Sequence, residues 1–257
     1  MTVGRAIAQA ALDSHITTAT SYPGGGATTI FNLLKKETKC EESANEKIAY
    51  EISLGTSYAG RRSICIVKNV GINVLSDTLI NSCFTGVNGG LVLVTVDDMY
   101  LDFTTDFQDS RRYFGLIKTL FFEPSTIQEA YDMTKEAFVL SEKLQLPIII
   151  RLEKKFVFKE GFVLGHKIKN YKPLKIKRDI KKWILHPPFT VEQTKNLFKK
   201  QKLIQNYVEK TKFNSLRLTK SKKALILVGT EYEKRKNNNN DILKVGTLPL
   251  PKKLLSR

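Results

Sequence analysis

Cysteine, histidine and tryptophan are scarce in this 257-residue chain, with three Cys, three His and one Trp. Cys40, Cys65 and Cys83 lie far apart and form no Cys-x-x-Cys pair. That spacing excludes a disulfide framework, a zinc site or an iron–sulfur cluster built from these residues alone. Cys65 falls inside the apolar run ICIV, as a buried thiol would. His15, His166 and His186 show no metal-ligand spacing and read as ordinary loop or surface residues. No apolar run reaches the roughly 20 residues that a membrane-spanning helix needs. The opening MTVGRAIAQAALDS lacks the apolar centre of a secretion signal. These absences predict a soluble cytoplasmic protein.

Acidic residues are missing from one half only. Residues 1–150 carry 13 Lys and Arg against 17 Asp and Glu, whereas residues 151–257 carry 29 against 8. The whole excess behind the net charge of +17 therefore lies in the last 107 residues. Such a block can mark nucleic-acid binding. Few aromatics are interleaved with it, however, and the Asn run in RKNNNND points to compositional bias. A solvated basic surface without specific nucleic-acid recognition is the expectation.

The 42% hydrophobic content is enough for a substantial core. Through residue 153 the chain alternates helix-like and strand-like segments. TVGRAIAQAALDS has helical apolar spacing, and HITTATSYPGGG reads as a strand ending in a glycine turn. ATTIFNLLKK is helical, ETKCEE a short strand, and SANEKIAYEISLGTSYAG a helix rich in small residues. RSICIVK, GGLVLVTVDD, KTLFFEPS and LPIIIRLE read as strands, the second of the kind buried on both faces. GINVLSDTLINSCF and TIQEAYDMTKEAFVLSEKLQ are helical, with Ser125 a candidate cap for the latter. This alternation predicts βαβ crossovers and a parallel sheet flanked by helices, about six strands wide. Beyond it, FVFKEGFVLG and KIKNYKPLKIK look like short β pieces before the basic amphipathic helix TVEQTKNLFKKQKLIQNYVEK. KKALILVGTEYEK then opens a second, small α/β unit.

In a parallel sheet, ligands sit at the carboxyl ends of the strands. The loops of interest are therefore SYPGGG, ESANE, KNVGIN and VDDMYLDFTTDFQDSRR, all of which follow strands. Glu46, in the second, admits two readings. Ser43 can cap the following helix with Glu46 reaching back to its amide, as in a capping box. Alternatively, Glu46 is a working carboxyl. Asn73 is equally open between a helix cap and a ligand contact, and Gln108, Asp109, Arg111 and Arg112 between a solvated loop and a binding loop.

Longer runs narrow these choices. YPGGG (22–26), NEKIAYEISLGTSYAGRR (45–62), VKNVGINVLSDTLINSCFTGVNGGLVLVTVDD (67–98), QDSRRY (108–113) and EPSTIQEAYDMTKEAF (123–138) resemble the pyrimidine-binding domain of thiamine-diphosphate-dependent 2-oxoacid:ferredoxin oxidoreductases. The resemblance is to the alpha subunits of the indolepyruvate type. It runs closely through about residue 165 and loosely to the end. It implies a pyrimidine-binding domain over residues 1–165, a basic linker arm over 166–222, and over 223–257 the remnant of a second, transketolase C-terminal-like α/β domain. The implied chemistry is oxidative decarboxylation of a 2-oxo acid to an acyl-CoA. Glu46 then matches the family's carboxyl that exchanges a proton with the pyrimidine ring. Tyr22, Pro23, Gly24, Gly71 and Asn73 match cofactor-contacting positions, and Thr28, Gln108, Asp109 and Arg111 a substrate region.

Three departures limit what the resemblance carries. Relatives usually follow YPG with Thr-Pro or a similar pair, where this chain has Gly25-Gly26. Their substrate loop is rich in Pro, Gly, Ser and Gln, where this chain reads MYLDFTTDF. Their second domain grips Mg²⁺ and the diphosphate through a Gly-Asp-Gly motif, and this sequence has no Gly-Asp pair. A partner subunit with the diphosphate-binding domain is therefore expected, with ferredoxin and its iron–sulfur chemistry reached through that homo- or hetero-oligomer, and the chain alone is expected to be inactive. A decayed or regulatory paralogue, or half of a split thiamine-dependent decarboxylase, are the alternatives.

Overall fold

The computed structural model describes residues 1–99, 107–166, 171–176 and 178–256. In chain order the first half forms α1 (Val3–Asp13), β1 (Ile16–Ser21), α2 (Gly25–Asn32), β2 (Lys39–Glu42), α3 (Glu46–Tyr58), β3 (Arg62–Lys68), α4 (Gly71–Thr85), β4 (Leu91–Asp97), α5 (Phe114–Ile117), β5 (Phe121–Phe122), α6 (Ile127–Leu144) and β6 (Ile148–Glu153). The second half adds α7 (Lys154–Val157), α8 (Ile180–Trp183), α9 (Phe189–Val208), β7 (Ser215–Arg217), β8 (Ala224–Val228), α10 (Thr230–Arg235), β9 (Asp241–Val245), β10 (Thr247–Leu248) and α11 (Lys252–Leu255).

A seven-stranded sheet runs in the order β10-β5-β6-β4-β3-β1-β2. Strands β1 to β6 are parallel, as the alternating pattern predicts, and β10 closes the far edge antiparallel to β5. The β-branched runs of β3, β4 and β6 fill its centre, where Ile64, Ile66, Val92, Val94, Ile148 and Ile150 are fully buried. Helix α1 contacts α2 and α6, and all three meet the sheet, while α4 contacts α3 and α9. A second, three-stranded sheet has the order β7-β9-β8. Among the described residues no helix is long and apolar enough to cross a membrane.

The residues expected as a linker arm are well attached. Leu197, Ile204 and Val208 of α9 belong to the main core, and Phe122 stacks edge-on against Tyr207 and Phe213. The 171–176 stretch is not a strand. Leu174 N–H donates to Gly60 O, and Asn88 Nδ2 donates to Lys175 O. Gly60 has φ +79°, and a Cβ there would stand 2.0 Å from Leu174 O, so this close approach requires glycine.

Several local expectations are corrected. Gly25 and Gly26 open α2 rather than ending a turn. FVFKEGFVLG begins with the short helix α7, and KTLFFEPS keeps only two strand residues. Thr126, not Ser125, caps α6: its side chain accepts from Glu129 N–H, and Glu129 reaches back to Ser125 N–H and Oγ. The capping-box reading of Glu46 also fails. Asn45 has an extended backbone and its Oδ1 accepts from Ile48 N–H at 2.9 Å, which makes Glu46 the first helical residue instead of the third.

Candidate functional site

The parallel register brings the ends of β1, β2, β3 and β4 to one edge of the sheet, so the loops carrying Tyr22, Glu46, Gly71 and Gln108 open on the same side. Part of the post-β4 loop, including most of MYLDFTTDF, lies outside the described residues.

Glu46 stands at the first turn of α3 and Gly71 at the first turn of α4. Their contact is close. A Cβ on Gly71 would lie 2.6 Å from Glu46 Cγ and 2.8 Å from Oε1, so the absence of a side chain at 71 makes room for the carboxyl. Two helix N-termini, each with the positive end of its dipole, thus meet at one acidic side chain. Glu46 is 9% exposed. Among the described residues its carboxylate has no hydrogen-bond partner and no ion pair. Two neighbouring loop ends also hold unsatisfied polar atoms: Ser43 Oγ after β2 and Asn69 Oδ1 after β3, both buried.

The loop after β1 is held differently. Gly24 N–H donates to Thr28 Oγ1 at 2.8 Å, which folds Tyr22-Pro23-Gly24 back onto the start of α2. A Cβ at Gly24 would come within 2.9 Å of Lys68 Cβ, at the end of β3. Tyr22 stays 37% exposed on the open edge.

The loops after β3 and β4 are clasped together. Asn69 Nδ2 donates to Gln108 O, and Gln108 Nε2 donates back to Asn69 O. Asn73 Nδ2 donates to Gln108 Oε1, while Gln108 Nε2 and Tyr113 Oη donate to Asn73 Oδ1. An open depression of about 550 Å³ is lined by Asn73, Phe107, Gln108, Asp109, Arg112 and Tyr113. Asn69 and Tyr113 were not singled out by sequence reasoning, and a polar residue directly after the apolar run of β3 was the signal available for Asn69.

Arg111 does not face open solvent alone. Its Nε and Nη2 donate to both oxygens of Asp109. Burial opposes the Asp109 charge, but the Arg111 guanidinium holds its carboxyl below the usual carboxylate range. Beneath lies a buried ionic network that the sequence reading did not find. Asp97 accepts from Ser110 N–H, Ser110 Oγ and Arg151 Nε, and Arg151 Nη1 donates to Glu123. Burial pushes the Glu123 carboxyl up despite the Arg151 charge. The Arg in IIIRLE, a charge within a strand buried on both faces, was its one sequence signal.

The residues therefore fall into four separate sets. Glu46 and Gly71 touch, and Asn73 and Gln108 bond to each other. Thr28 closes the first loop, and Asp109 and Arg111 form a pair above the buried network. Cavity size does not mark this edge, since a cleft of about 540 Å³ lies at the opposite one, between α8–α9 and the ends of α4 and α6.

The domain family described as pyruvate flavodoxin/ferredoxin oxidoreductase, thiamine diP-bdg, matches residues 10–215. The chain belongs to this family. Its cofactor class is thiamine diphosphate. Indolepyruvate oxidoreductase subunit IorA of Archaeoglobus fulgidus is 32% identical over 97% of this chain and 43% of its own length. The Pyrococcus abyssi subunit of the same name is 30% identical over 98% of this chain and 42% of its own. The Thermococcus kodakarensis subunit is 36% identical over 57% of this chain and 23% of its own. The chain thus spans less than half the length of these curated relatives. In fold it is similar to the 2-oxoglutarate:ferredoxin oxidoreductase from Magnetococcus marinus, solved with 2-oxoglutarate, coenzyme A and succinyl-CoA bound, with a TM-score of 0.74 at 13% identity, covering 98% of this chain and 54% of that one.

Proposed function

We propose that this chain is the pyrimidine-side part of a thiamine-diphosphate-dependent 2-oxoacid:ferredoxin oxidoreductase of the indolepyruvate type, completed by a partner that grips the diphosphate. The observation that carries the proposal is the Glu46 carboxylate, unpartnered among the described residues and seated against Gly71 at the sheet edge where family ligands bind. The residues present fit the pyrimidine end of the cofactor. Glu46 offers an acid, Ser43 Oγ and Asn69 Oδ1 are buried polar atoms in want of partners, and the loop Tyr22-Pro23-Gly24 lies beside them along the same edge.

In this reading Tyr22, Pro23, Gly24, Gly71 and Asn73 hold the ring. Glu46 holds and returns a proton at the carboxyl oxygen beside Gly71, the kind of exchange a positioned carboxyl performs well. The bound cofactor supplies the electron sink for decarboxylation of a 2-oxo acid. Gln108, whose side-chain amide is tied to Asn69 and Asn73, borders the depression and fixes its wall in this reading. Thr28 and the Asp109–Arg111 pair shape the loops around it. Activity requires a protein partner, and electrons leave through that complex to ferredoxin.

The test is reconstitution. The chain is mixed with a separately expressed subunit that carries the diphosphate-binding domain, and ferredoxin reduction is followed with indolepyruvate, coenzyme A and thiamine diphosphate. The expected result is thiamine-dependent reduction by the mixture and none by the chain alone. A second reading, a non-catalytic paralogue that keeps the fold, is favoured by Gly25-Gly26, which place no hydroxyl where relatives carry one. No turnover with any competent partner supports that reading. Decarboxylation without an electron acceptor supports a split decarboxylase.

A further inference from the structure

The sheet edges of the molecule are not alike. The large sheet ends at β2 and β10, and the small one at β7 and β8. An open strand edge presents unpaired main-chain groups to any other chain, and proteins blunt such edges with charge or by keeping the strand short. Strand β2 reads KCEE, with Lys39, Glu41 and Glu42. Strands β10 and β7 are two and three residues long. Strand β8 has neither device. Its five residues, Ala224-Leu225-Ile226-Leu227-Val228, are all aliphatic, and Ile226 is 53% exposed.

The register shows which of its groups are open. Asp241 N–H donates to Lys223 O, and Gly229 N–H donates to Val245 O. The odd-numbered residues of this stretch therefore turn their main-chain groups towards β9. Ala224, Ile226 and Val228 turn theirs outwards, and among the described residues no strand pairs with that side. The outward set is symmetric about Ile226. A two-fold axis at Ile226 sets Ile226 of one copy opposite Ile226 of another, and Ala224 opposite Val228. Each outward N–H then meets an outward C=O, as the hydrogen-bonded pairs of an antiparallel ladder require.

The strand ends suit the same arrangement. Lys222 and Lys223 precede β8, and Glu231 and Glu233 follow it in the first turn of α10, where they pair with Lys234, Arg235 and Lys236 of their own helix. Antiparallel pairing carries the two lysines of one copy to the α10 end of the other and keeps the two lysine pairs apart. A parallel neighbour of the same sequence would set lysines beside lysines, which is unfavourable.

We propose that β8 pairs with β8 of a second copy of this chain, joining the two small sheets into one continuous sheet across a two-fold axis. A standard protein interface buries about 1,600 Å². Two five-residue strands bury less, so the self-association is weak and depends on concentration. The assignment is independent of thiamine chemistry and uses no residue of the candidate site.

The test is sedimentation equilibrium of the full chain from micromolar to millimolar concentration, where a reversible monomer–dimer equilibrium is expected. Ile226→Pro removes the central outward N–H, a change that an edge strand tolerates when that N–H faces solvent. It is expected to weaken association at least about tenfold, with a melting curve close to the parent's. A cross-link reads the register without relying on that variant. Cys65 and Cys83 are buried, so the half-buried Cys40 is first replaced by serine. In that background Ile226→Cys places two thiols on residues whose Cα atoms lie about 5.5 Å apart across the axis, within disulfide reach. A covalent dimer is expected on air oxidation. Ala224→Cys, whose two copies would lie about 14 Å apart along the pair, is expected to give none. The proposal is overturned if the chain stays monomeric to millimolar concentration, if Ile226→Pro associates as the parent does, or if Ala224→Cys cross-links as readily as Ile226→Cys.

Discussion

Gly71 and Glu46 share one small volume, and that contact makes both positions sensitive. Gly71 is helical, with a backbone that any residue can adopt, so alanine there gains about 1 kcal/mol of helix propensity. The new Cβ, however, would sit 2.6 Å from Glu46 Cγ. Crowding of this kind costs about 1–3 kcal/mol. Gly71→Ala is therefore expected to lower stability in urea unfolding by up to about 2 kcal/mol net, and a variant more stable than the parent would show that Glu46 gives way freely. Lys200 allows a pH test. Burial depresses its ammonium to about 8. The unfolded chain then holds the extra proton between pH 8 and the ordinary lysine value, so stability due to this residue rises with pH across that window. Below it the folded state carries a desolvated charge. The stability of the parent relative to Lys200→Met is expected to rise from pH 7 to pH 10 by on the order of 1–3 kcal/mol, and a gap independent of pH would contradict the assignment.

Among the elements, the parallel sheet was legible because β3, β4 and β6 are unbroken apolar runs separated by amphipathic helices, a pattern few other folds satisfy. The four strand-end loops followed from the same rule. The α3 cap was not legible, because Ser43 and Asn45 are both good caps and only the backbone at Asn45 decides between them. Nor was the Asp97–Arg151–Glu123 network, whose members lie in β4, in β6 and just after β5, which are neighbours only in the folded sheet. The place of α9 was the least predictable. Its many lysines suggested a solvated arm, yet it lays Leu197, Ile204 and Val208 into the main core. Ile204→Ala is expected to destabilise the whole chain by about 2–5 kcal/mol, with one cooperative transition by circular dichroism. An unchanged main transition, with loss only of a minor early one, would mean that residues 166–222 form a detachable arm after all.

For the whole molecule, the edge where the parallel strands end gathers the Glu46 carboxyl, four loops and two unsatisfied polar atoms, Ser43 Oγ and Asn69 Oδ1. The basic second half is expected to contribute little specific recognition of nucleic acid, and any such binding should fall steeply with salt because it rests on phosphate charge. A salt-tolerant, sequence-preferring footprint would contradict that. The central claim is that Glu46 supplies the acid–base step. The most direct measurement is the exchange rate of the thiazolium C2 proton of thiamine diphosphate, followed by NMR in deuterated buffer on the chain joined to its diphosphate-binding partner. Glu46→Gln is chosen because it keeps the side chain's shape against Gly71 and leaves the Asn45 cap untouched. The account predicts that this variant slows exchange by about 10²- to 10⁴-fold with cofactor affinity and melting temperature close to the parent's, and exchange at the parent's rate would contradict it.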